Sequence, residues 1–563
     1  METFTKILIL GLFCFSIFLR NVSSTTQNVI PPEMKAQIDQ LILEVMDKEK
    51  IPAQSLSIVK RDGSLLYNTG YGDRDVEHKL PAGPETLFAI GSATKSFTAV
   101  LVAKTLHEIY PSLGKKVLDV PIRELAPGYN FTLGDRFRSE RVTFKDILAH
   151  RVCIKEEISG LFSQAFNGTE DMVNRFRYAP EECNFRSDFS YNNGLIGMAG
   201  HILGHIANRT YADLLSEFVG QLGMTRTTVI KMSDDHDNMM QRAIPYIWKG
   251  GEFLRGNSEL LKSIAPIPSG GGILSSANDM AKYMLFHLNK GKVGDVQVVP
   301  TEVMGWLTTP VSTIYSGFPR NVEDPDAIMR LSVAYGLCMY MGNYDGWERT
   351  GHGGHIPPFI SSFYMYPNLG LGIFTSRSGS ARLVDPEGMS NAIFHIIMGS
   401  PHKVKRALAD ASYSVNDTNL DLPYVTHNQR ELEKSSDKEN QNVEIYMTPE
   451  EAVGTYGSGF NGEMNVTFRT NAEGVPQLYW QYGRSAEGWL VQVAPNTFML
   501  SKWGSDLWMV YWSYGIGYGG ISLRFLDIDT LEYLELGEKS SNDFKRGEKL
   551  EDLPVTPWLP DSC

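Results

Sequence analysis

The stretch from Thr86 to Glu108, TLFAIGSATKSFTAVLVAKTLHE, decides the fold. It reads as a strand or turn that delivers Ser92 to the start of a long buried helix. Phe97, Val100, Leu101, Val102 and Leu106 make that helix mostly apolar, and Ala93, Ala99 and Ala103 let neighbours pack close. Ser92 and Lys95 interrupt the apolar pattern. They lie three apart and so share one face of the first turn. The amino end of a helix is already positive, and a buried amine is poorly solvated. Both effects favour the neutral amine, and a neutral amine beside a hydroxyl is a general base beside a nucleophile. The same spacing recurs at Ser435 and Lys438 inside KSSDKENQN, where no apolar helix follows. Context carries the reading, since the tetrapeptide alone is common.

Upstream, Glu33 to Glu49 has helical spacing, with Ile38, Leu41, Ile42 and Val45 on one face. Ser55 to Val59 and Ser64 to Tyr67 flank Arg61-Asp62-Gly63 as a hairpin. Downstream, helical patterns dominate to Pro310, at Thr143 to His150, Gly194 to Ala207, Tyr211 to Leu222 and Asp279 to Leu288. Strand signals return at Ser332 to Met341, Phe359 to Tyr366 and Leu371 to Thr375, before a helix at Asn391 to Met398. This order predicts an α+β fold: an antiparallel sheet assembled from both ends, flanked by helices, with a mostly helical insert. From Thr448 the chain turns aromatic and alternating, with strands expected at Leu478 to Gln481, Trp489 to Val493, Phe498 to Ser501, Leu507 to Trp512 and Ile521 to Leu526. That pattern predicts a small antiparallel β-barrel. The expected domains are a signal peptide over 1–24, a main domain over 25–401, a polar linker over 402–447 and the barrel over 448–563.

Acyl transfer needs more than Ser92 and Lys95: a second proton-handling group, an amide and two backbone donors. Tyr191-Asn192-Asn193 offers a phenol and an amide at the start of a buried helix. Gly351-His352-Gly353-Gly354-His355 precedes a strand, and its glycines let backbone approach a ligand. Tyr366-Pro367-Asn368 repeats the second pattern and reads as a turn. The glycines of PSGGGILSS at Pro268 lack a following Lys, so they read as a tight turn rather than a phosphate loop.

In this order the three pieces resemble the serine β-lactamase and penicillin-binding-protein superfamily, nearest its class C branch and the related esterases and peptidases. The flanks FAIGSATKSFTA, DFSYNNGLIG, PSGGGILSSANDMAKY and YGL…GHGG agree, and the likeness covers roughly Pro32 to Gly399. The tail resembles a small barrel appended to some members. The resemblance implies Ser92 as the acylated nucleophile and Lys95 as its proton acceptor or relay. Tyr191 would be the base, its phenol pKa lowered by Lys95. Asn193 would hold the substrate amide, and His352 would hydrogen-bond Tyr191 or the substrate. Gly354 and His355 would line the substrate, with the amides of Ser92 and His355 as the oxyanion hole. His352 stands where a lysine often stands, so carboxylate recognition should weaken and depend on pH. The expected substrate is therefore a small ester or peptide rather than an antibiotic. His355 and Pro358 replace small residues, and a side chain at His355 is expected to narrow the cleft.

The net charge of -13 over 563 residues excludes a basic nucleic-acid surface. Lys6 precedes an apolar run, Ile7 to Phe18, too short to span a bilayer; it reads as a secretory signal cleaved after Ser24. No membrane partner is expected. An exported chain permits disulfides, and Cys153 with Cys183 is the favoured pair. Cys338 reads as a buried thiol or a partner of Cys563. The sequons at Asn130, Asn167, Asn208, Asn416 and Asn465 are candidate glycosylation sites. His201 and His205 lie one helical turn apart, but no Glu follows His201; Asp234, Asp235 and Asp237 do not match a calcium loop. No metal or cofactor is expected. Two functions compete: a secreted serine hydrolase, and an extracellular matrix or binding protein that keeps the fold without turnover.

Overall fold

The computed structural model describes residues 28–156, 158–231, 241–318, 328–379, 386–410, 445–513, 520–535, 538–539 and 543–558. The signal peptide, the Asp234–Asp237 loop, Ser435 and Lys438, Asn416, Cys563 and most of the expected linker lie outside these residues.

Helix α1, Pro32–Glu49, begins with proline at its first position and ends where Lys50 turns left-handed and donates to Asp47 and Met46. Its buried face is the one read from the sequence. Strands β1, Ala53–Lys60, and β2, Leu66–Asp75, form the hairpin, closing on Val59 opposite Leu66. A two-residue β3, Leu80–Pro81, follows. The insert contributes α2, Thr94–Ile109, α3, Asn193–Ala207, and α4, Ala277–Leu288. The chain then returns as β4, Ser312–Phe318, β5, Arg330–Tyr335, β6, Tyr340–Tyr344, β7, Trp347–Ile356, β8, Phe359–Tyr366, and β9, Leu371–Ser378, before α5, Pro386–Ile397.

These strands make one sheet in the order β4-β5-β6-β7-β8-β9-β1-β2-β3. The early hairpin and the late strands meet at β1 and β9, paired from Ala53 with Ser378 to Lys60 with Leu371. One face of the sheet packs on the helical insert. The other packs on α1 and α5. On that second face Arg349 pairs with Glu387 at 2.9 Å and Arg377 with Glu49 at 3.3 Å, so both buried cations have carboxylates. Helix α2 is buried on nearly every side, from Thr94 to Leu106. A helix apolar all round belongs in a core, and this one carries Lys95 there with it.

The tail folds as β10, Gly454–Ser458, β11, Gly462–Thr470, β12, Pro476–Tyr482, β13, Ala486–Ala494, β14, Thr497–Trp503, β15, Ile521–Phe525, β16, Thr530–Glu535, and β17, Phe544–Arg546. They pair in the order β15-β14-β13-β12-β11-β10-β17-β16, and β16 returns to β15 to close an antiparallel barrel of eight strands. Tyr456, Trp480, Tyr482, Phe525 and Phe544 fill it. One expected strand is a helix: α6, Trp508–Ser513. Leu507 to Trp512 is a short apolar run that periodicity alone cannot assign, and here Tyr511 packs its ring on Trp503 at 5.0 Å. The start of the expected linker is also helical, Val404–Asp410, with Ala407 buried against α5.

The barrel grips the insert. Arg484 donates to Asn167 Oδ1 at 2.7 Å and to the Phe166 carbonyl at 2.9 Å, and Ser485 Oγ donates to the Phe162 carbonyl at 3.2 Å. Phe460 sits 5.7 Å from Phe166 and 5.2 Å from Phe176, ring to ring.

Candidate active site

Ser92 lies in the short turn Gly91–Ala93 that feeds α2. Gly91 has φ +53°, and a Cβ there would fall 2.6 Å from the His355 nitrogen. A Cβ on Gly354 would fall 1.9 Å from the Ile90 carbonyl. Both glycines are therefore required for β7 to lie backbone to backbone against the Ser92 turn. Strand β6 pairs with β7 only as far as Gly351, so the edge of β7 from His352 onward faces that turn. Ser361 Oγ ties the two together by donating to the Ile90 carbonyl at 2.7 Å.

Lys95 is buried, while Ser92 remains partly accessible. Lys95 Nζ donates to Ser92 Oγ at 2.8 Å, to Asn193 Oδ1 at 2.6 Å and to the Gly270 carbonyl at 2.6 Å. Loss of water pushes its pKa down to about 7, and the Glu156 carboxylate opposes that shift. The Gly270 acceptor comes from the glycine-rich stretch: Pro268–Gly271 is a single helical turn wedged between α2 and α3. Its glycines serve as a tight turn, as expected, and also as an acceptor for the amine.

Asn192 caps α3 by accepting from the Leu195 N–H, and its Nδ2 donates to the carbonyls of Ile154 and Lys155. This cap fixes its two neighbours over Ser92. Tyr191 lies over the lysine, with Lys95 Nζ 4.9 Å from its ring centre. The Tyr191 phenol is pushed well above its ordinary value, first by burial and then by Tyr340. This corrects the expectation of a phenol lowered by Lys95. Desolvation penalises the phenolate more than a half-neutral lysine can repay.

His352 is also corrected. Its Nδ1 faces the Gly353 carbonyl at 2.5 Å and its Nε2 faces the Tyr335 hydroxyl at 3.0 Å. A carbonyl only accepts, so Nδ1 carries the proton and Nε2 accepts from Tyr335. Its ring centre is 6.4 Å from that of Tyr191, and burial lowers its pKa to about 3. The imidazole stays neutral and offers no pH-dependent cation. The His355 side chain leaves the cleft. In the ladder His355–Ile360–Arg377 it shares a sheet face with Arg377, and burial, aided by the Arg377 charge, lowers its pKa to about 4. Only its backbone adjoins Ser92.

Three residues beyond the sequence motifs shape the crevice. The His150 ring stacks on Tyr191 at 4.2 Å, and its Nδ1 accepts from the Asn192 N–H. Tyr335 completes the aromatic wall at 5.3 Å from His150. Glu156 accepts from the Asn193 N–H at 2.5 Å and from its Nδ2 at 3.1 Å. The Asn193 amide is thus engaged at both ends. The sequence gives no periodic signal for Glu156, which lies in a loop; His150 and Gly270 stand in stretches that were legible as a helix end and a turn.

Cys153 and Cys183 are disulfide-bonded, and Cys338 is a buried thiol. Asn130, Asn167, Asn208 and Asn465 are all exposed. His201 and His205 pack their rings on Tyr129 at 5.5 and 5.2 Å. A separate cavity of about 880 Å³ lies between α4 and strands β5–β8, and includes none of the motif residues among its walls. No helix among the described residues is long and apolar enough to cross a membrane.

A helix-flanked antiparallel sheet that brings a serine, a buried lysine and a tyrosine to one crevice defines the β-lactamase type of fold. The family model described as Beta-lactamase matches residues 38–391, and the chain belongs to that family. It is 24% identical over 348 residues to the unguisins hydrolase ungD' of Aspergillus campestris, covering 60% of each chain. It is 26% identical over 262 residues to the protein flp of Staphylococcus aureus, covering 46% of this chain and 49% of that one. The chain thus spans about 60% of the length of the first of these relatives. Among solved structures, the octameric penicillin-binding protein homologue from Pyrococcus abyssi superposes with a TM-score of 0.55 at 19% identity, covering 91% of this chain and 99% of that one. That likeness shows the fold.

Proposed function

We propose that this protein is an exported serine hydrolase that forms an acyl-enzyme on Ser92 and acts on a small ester or peptide. One observation carries the reading: a buried amine with a pKa of about 7 stands 2.8 Å from the hydroxyl of an accessible serine. At neutral pH about half of such amines are neutral, and a neutral Lys95 accepts the Ser92 proton as Oγ attacks the substrate carbonyl. The oxyanion forms toward the backbone amides of Ser92 and His355, at the contact that Gly91 and Gly354 make possible. Tyr191 enters as a neutral phenol, so it begins as a donor: it protonates the leaving alcohol or amine, then takes a proton from the incoming water. The protonated Lys95 returns its proton to Ser92 Oγ as the acyl group passes to water, so all three residues end as they began. Asn193 orients the acyl side, and His352 with Gly354 forms the opposite wall. Hydrolase relatives support the class. Export is supported by the apolar run from Ile7 to Phe18 and by the Cys153–Cys183 bond; glycan at the exposed sequons belongs to the same proposal.

A fluorophosphonate probe tests the reading. Labelling of the wild type that Ser92→Ala abolishes supports it. Labelling that survives the substitution rejects Ser92. Complete silence toward the probe and toward ester, D-amino-acid peptide and β-lactam panels favours the matrix or binding alternative.

A further inference from the structure

The three motifs leave Glu156 out, yet its carboxylate holds the residue that holds the lysine. Asn193 is the first residue of α3, so its backbone N–H has no partner within the helix. Glu156 Oε2 accepts that N–H at 2.5 Å, where the helix also favours a negative charge. Its other oxygen accepts from Asn193 Nδ2 at 3.1 Å. A side-chain amide has two faces, one accepting and one donating, and an ionised carboxylate only accepts. Glu156 therefore permits one orientation of the amide: Nδ2 toward the carboxylate, Oδ1 toward Lys95 Nζ at 2.6 Å. The reverse orientation would set the amide oxygen against a carboxylate and an amide N–H against the amine.

The carboxylate is held in place from several sides. Ile154 bridges to Glu181, the Lys155 N–H donates to the Pro180 carbonyl at 3.2 Å, and the Asn192 side chain holds the carbonyls of residues 154 and 155. The Cys153–Cys183 disulfide closes the same segment. Such anchoring is what a positioning group requires, because it removes the entropy of finding the geometry.

We propose that Glu156 is a positioning residue: it locks the Asn193 amide with Oδ1 on Lys95, and so holds the amine in register with the Ser92 hydroxyl. The inference deepens the serine-hydrolase reading and rests on it for its kinetic arm alone. The other groups facing Lys95 are Tyr191 just ahead of α3, Asn193 at its start, the Gly270 carbonyl, Cys338, and the rings of His150 and His352. Burial keeps both imidazoles, the phenol and the thiol neutral at neutral pH. Glu156 is the carboxylate among the groups acting on Lys95.

The full chain is compared with Glu156→Gln, which keeps the shape and removes the charge, and with Glu156→Asp, which keeps the charge. The rate of fluorophosphonate labelling is measured from pH 5 to 9. In Glu156→Gln the acid limb should move down by about one pH unit and the plateau should fall about 10- to 100-fold; Glu156→Asp should keep the limb near the wild-type position. A Glu156→Gln profile that overlays the wild type overturns the proposal. A second measurement needs no reaction: the titration of Lys95 in protein carrying ¹³C-lysine, assigned with Lys95→Arg. Its midpoint should fall in Glu156→Gln, and an unmoved midpoint again overturns the proposal. If the midpoint moves while the wild type never labels, the positioning role stands and the hydrolase reading fails.

Discussion

The groups packed behind Ser92 and the interior of the C-terminal barrel are both buried, but they are opposite in kind. Trp480, Tyr456, Tyr482, Phe525 and Phe544 fill the barrel with aromatic surface. Charge is kept to the outward positions of the strands, where Arg524 donates to Glu532 at 2.5 Å between β15 and β16. The crevice buries Lys95, His150 and His352, each pushed down from its ordinary pKa because charge is costly there. Burial of apolar surface stabilises the one region, and burial of titratable groups readies the other for proton transfer. The comparison separates residues that should alter stability from residues that should alter chemistry.

The sharpest break of that comparison is at Ser92. Ser92→Ala and Lys95→Met should each lower probe labelling by about 10³-fold or more while leaving the melting curve near that of the wild type. Trp480→Ala should do the reverse. Emptying the barrel should destabilise the protein by about 3–5 kcal/mol in chemical denaturation, with labelling per folded molecule unchanged. Cys153→Ser with Cys183→Ser releases a loop of 30 residues and should lower stability by about 3–4 kcal/mol. Because that loop carries Glu156, this pair should also reduce labelling, and unchanged labelling would detach the loop from the chemistry.

Acid should sharpen the contrast. His287 and His352 have folded pKa values of about 3, and His150 is also depressed. The unfolded chain therefore binds protons that the folded chain refuses as pH falls from about 6.5 toward 3. Stability is complete above that window and falls within it, by about 1.4 kcal/mol per pH unit for each histidine. His287→Phe should flatten the slope by one such increment, measured by denaturant unfolding from pH 7 to 4. The smallest effect belongs to the contact between the two regions. Arg484→Ala removes bonds to Asn167 and Phe166 and should destabilise by about 1 kcal/mol, with little change at Ser92.

Much of the fold was legible because its periodicities are local. The apolar face of α1, the hairpin of β1 and β2, and the strands β12 to β15 stand in the order of residues. That one sheet joins strands from both ends of the helical region was legible too; that β1 and β9 are the strands that meet was decided by the fold. Leu507 to Trp512 was not: it is too short for its period to separate strand from helix, and in the folded chain it is helical with Tyr511 against Trp503.

Within the crevice, the residues that share a motif could be read, and Ser92, Lys95, Tyr191 and Asn193 do converge. Protonation states could not. The rise of the Tyr191 phenol and the neutrality of His352 follow first from burial, among rings such as His150, Tyr335 and Tyr340 that reach the site from different parts of the chain. Glu156 was hidden for the same reason, as its importance lies in two bonds across 37 positions of sequence.

By itself, then, the sequence determined many of the elements, the family of folds they build, and the motif side chains Ser92, Lys95, Tyr191 and Asn193, because each of these rests on local pattern. The tertiary structure alone decided which of those side chains carries a proton and which way the Asn193 amide faces. Desolvation and hydrogen-bond partners are properties of the packed chain, and no stretch of residues carries them alone.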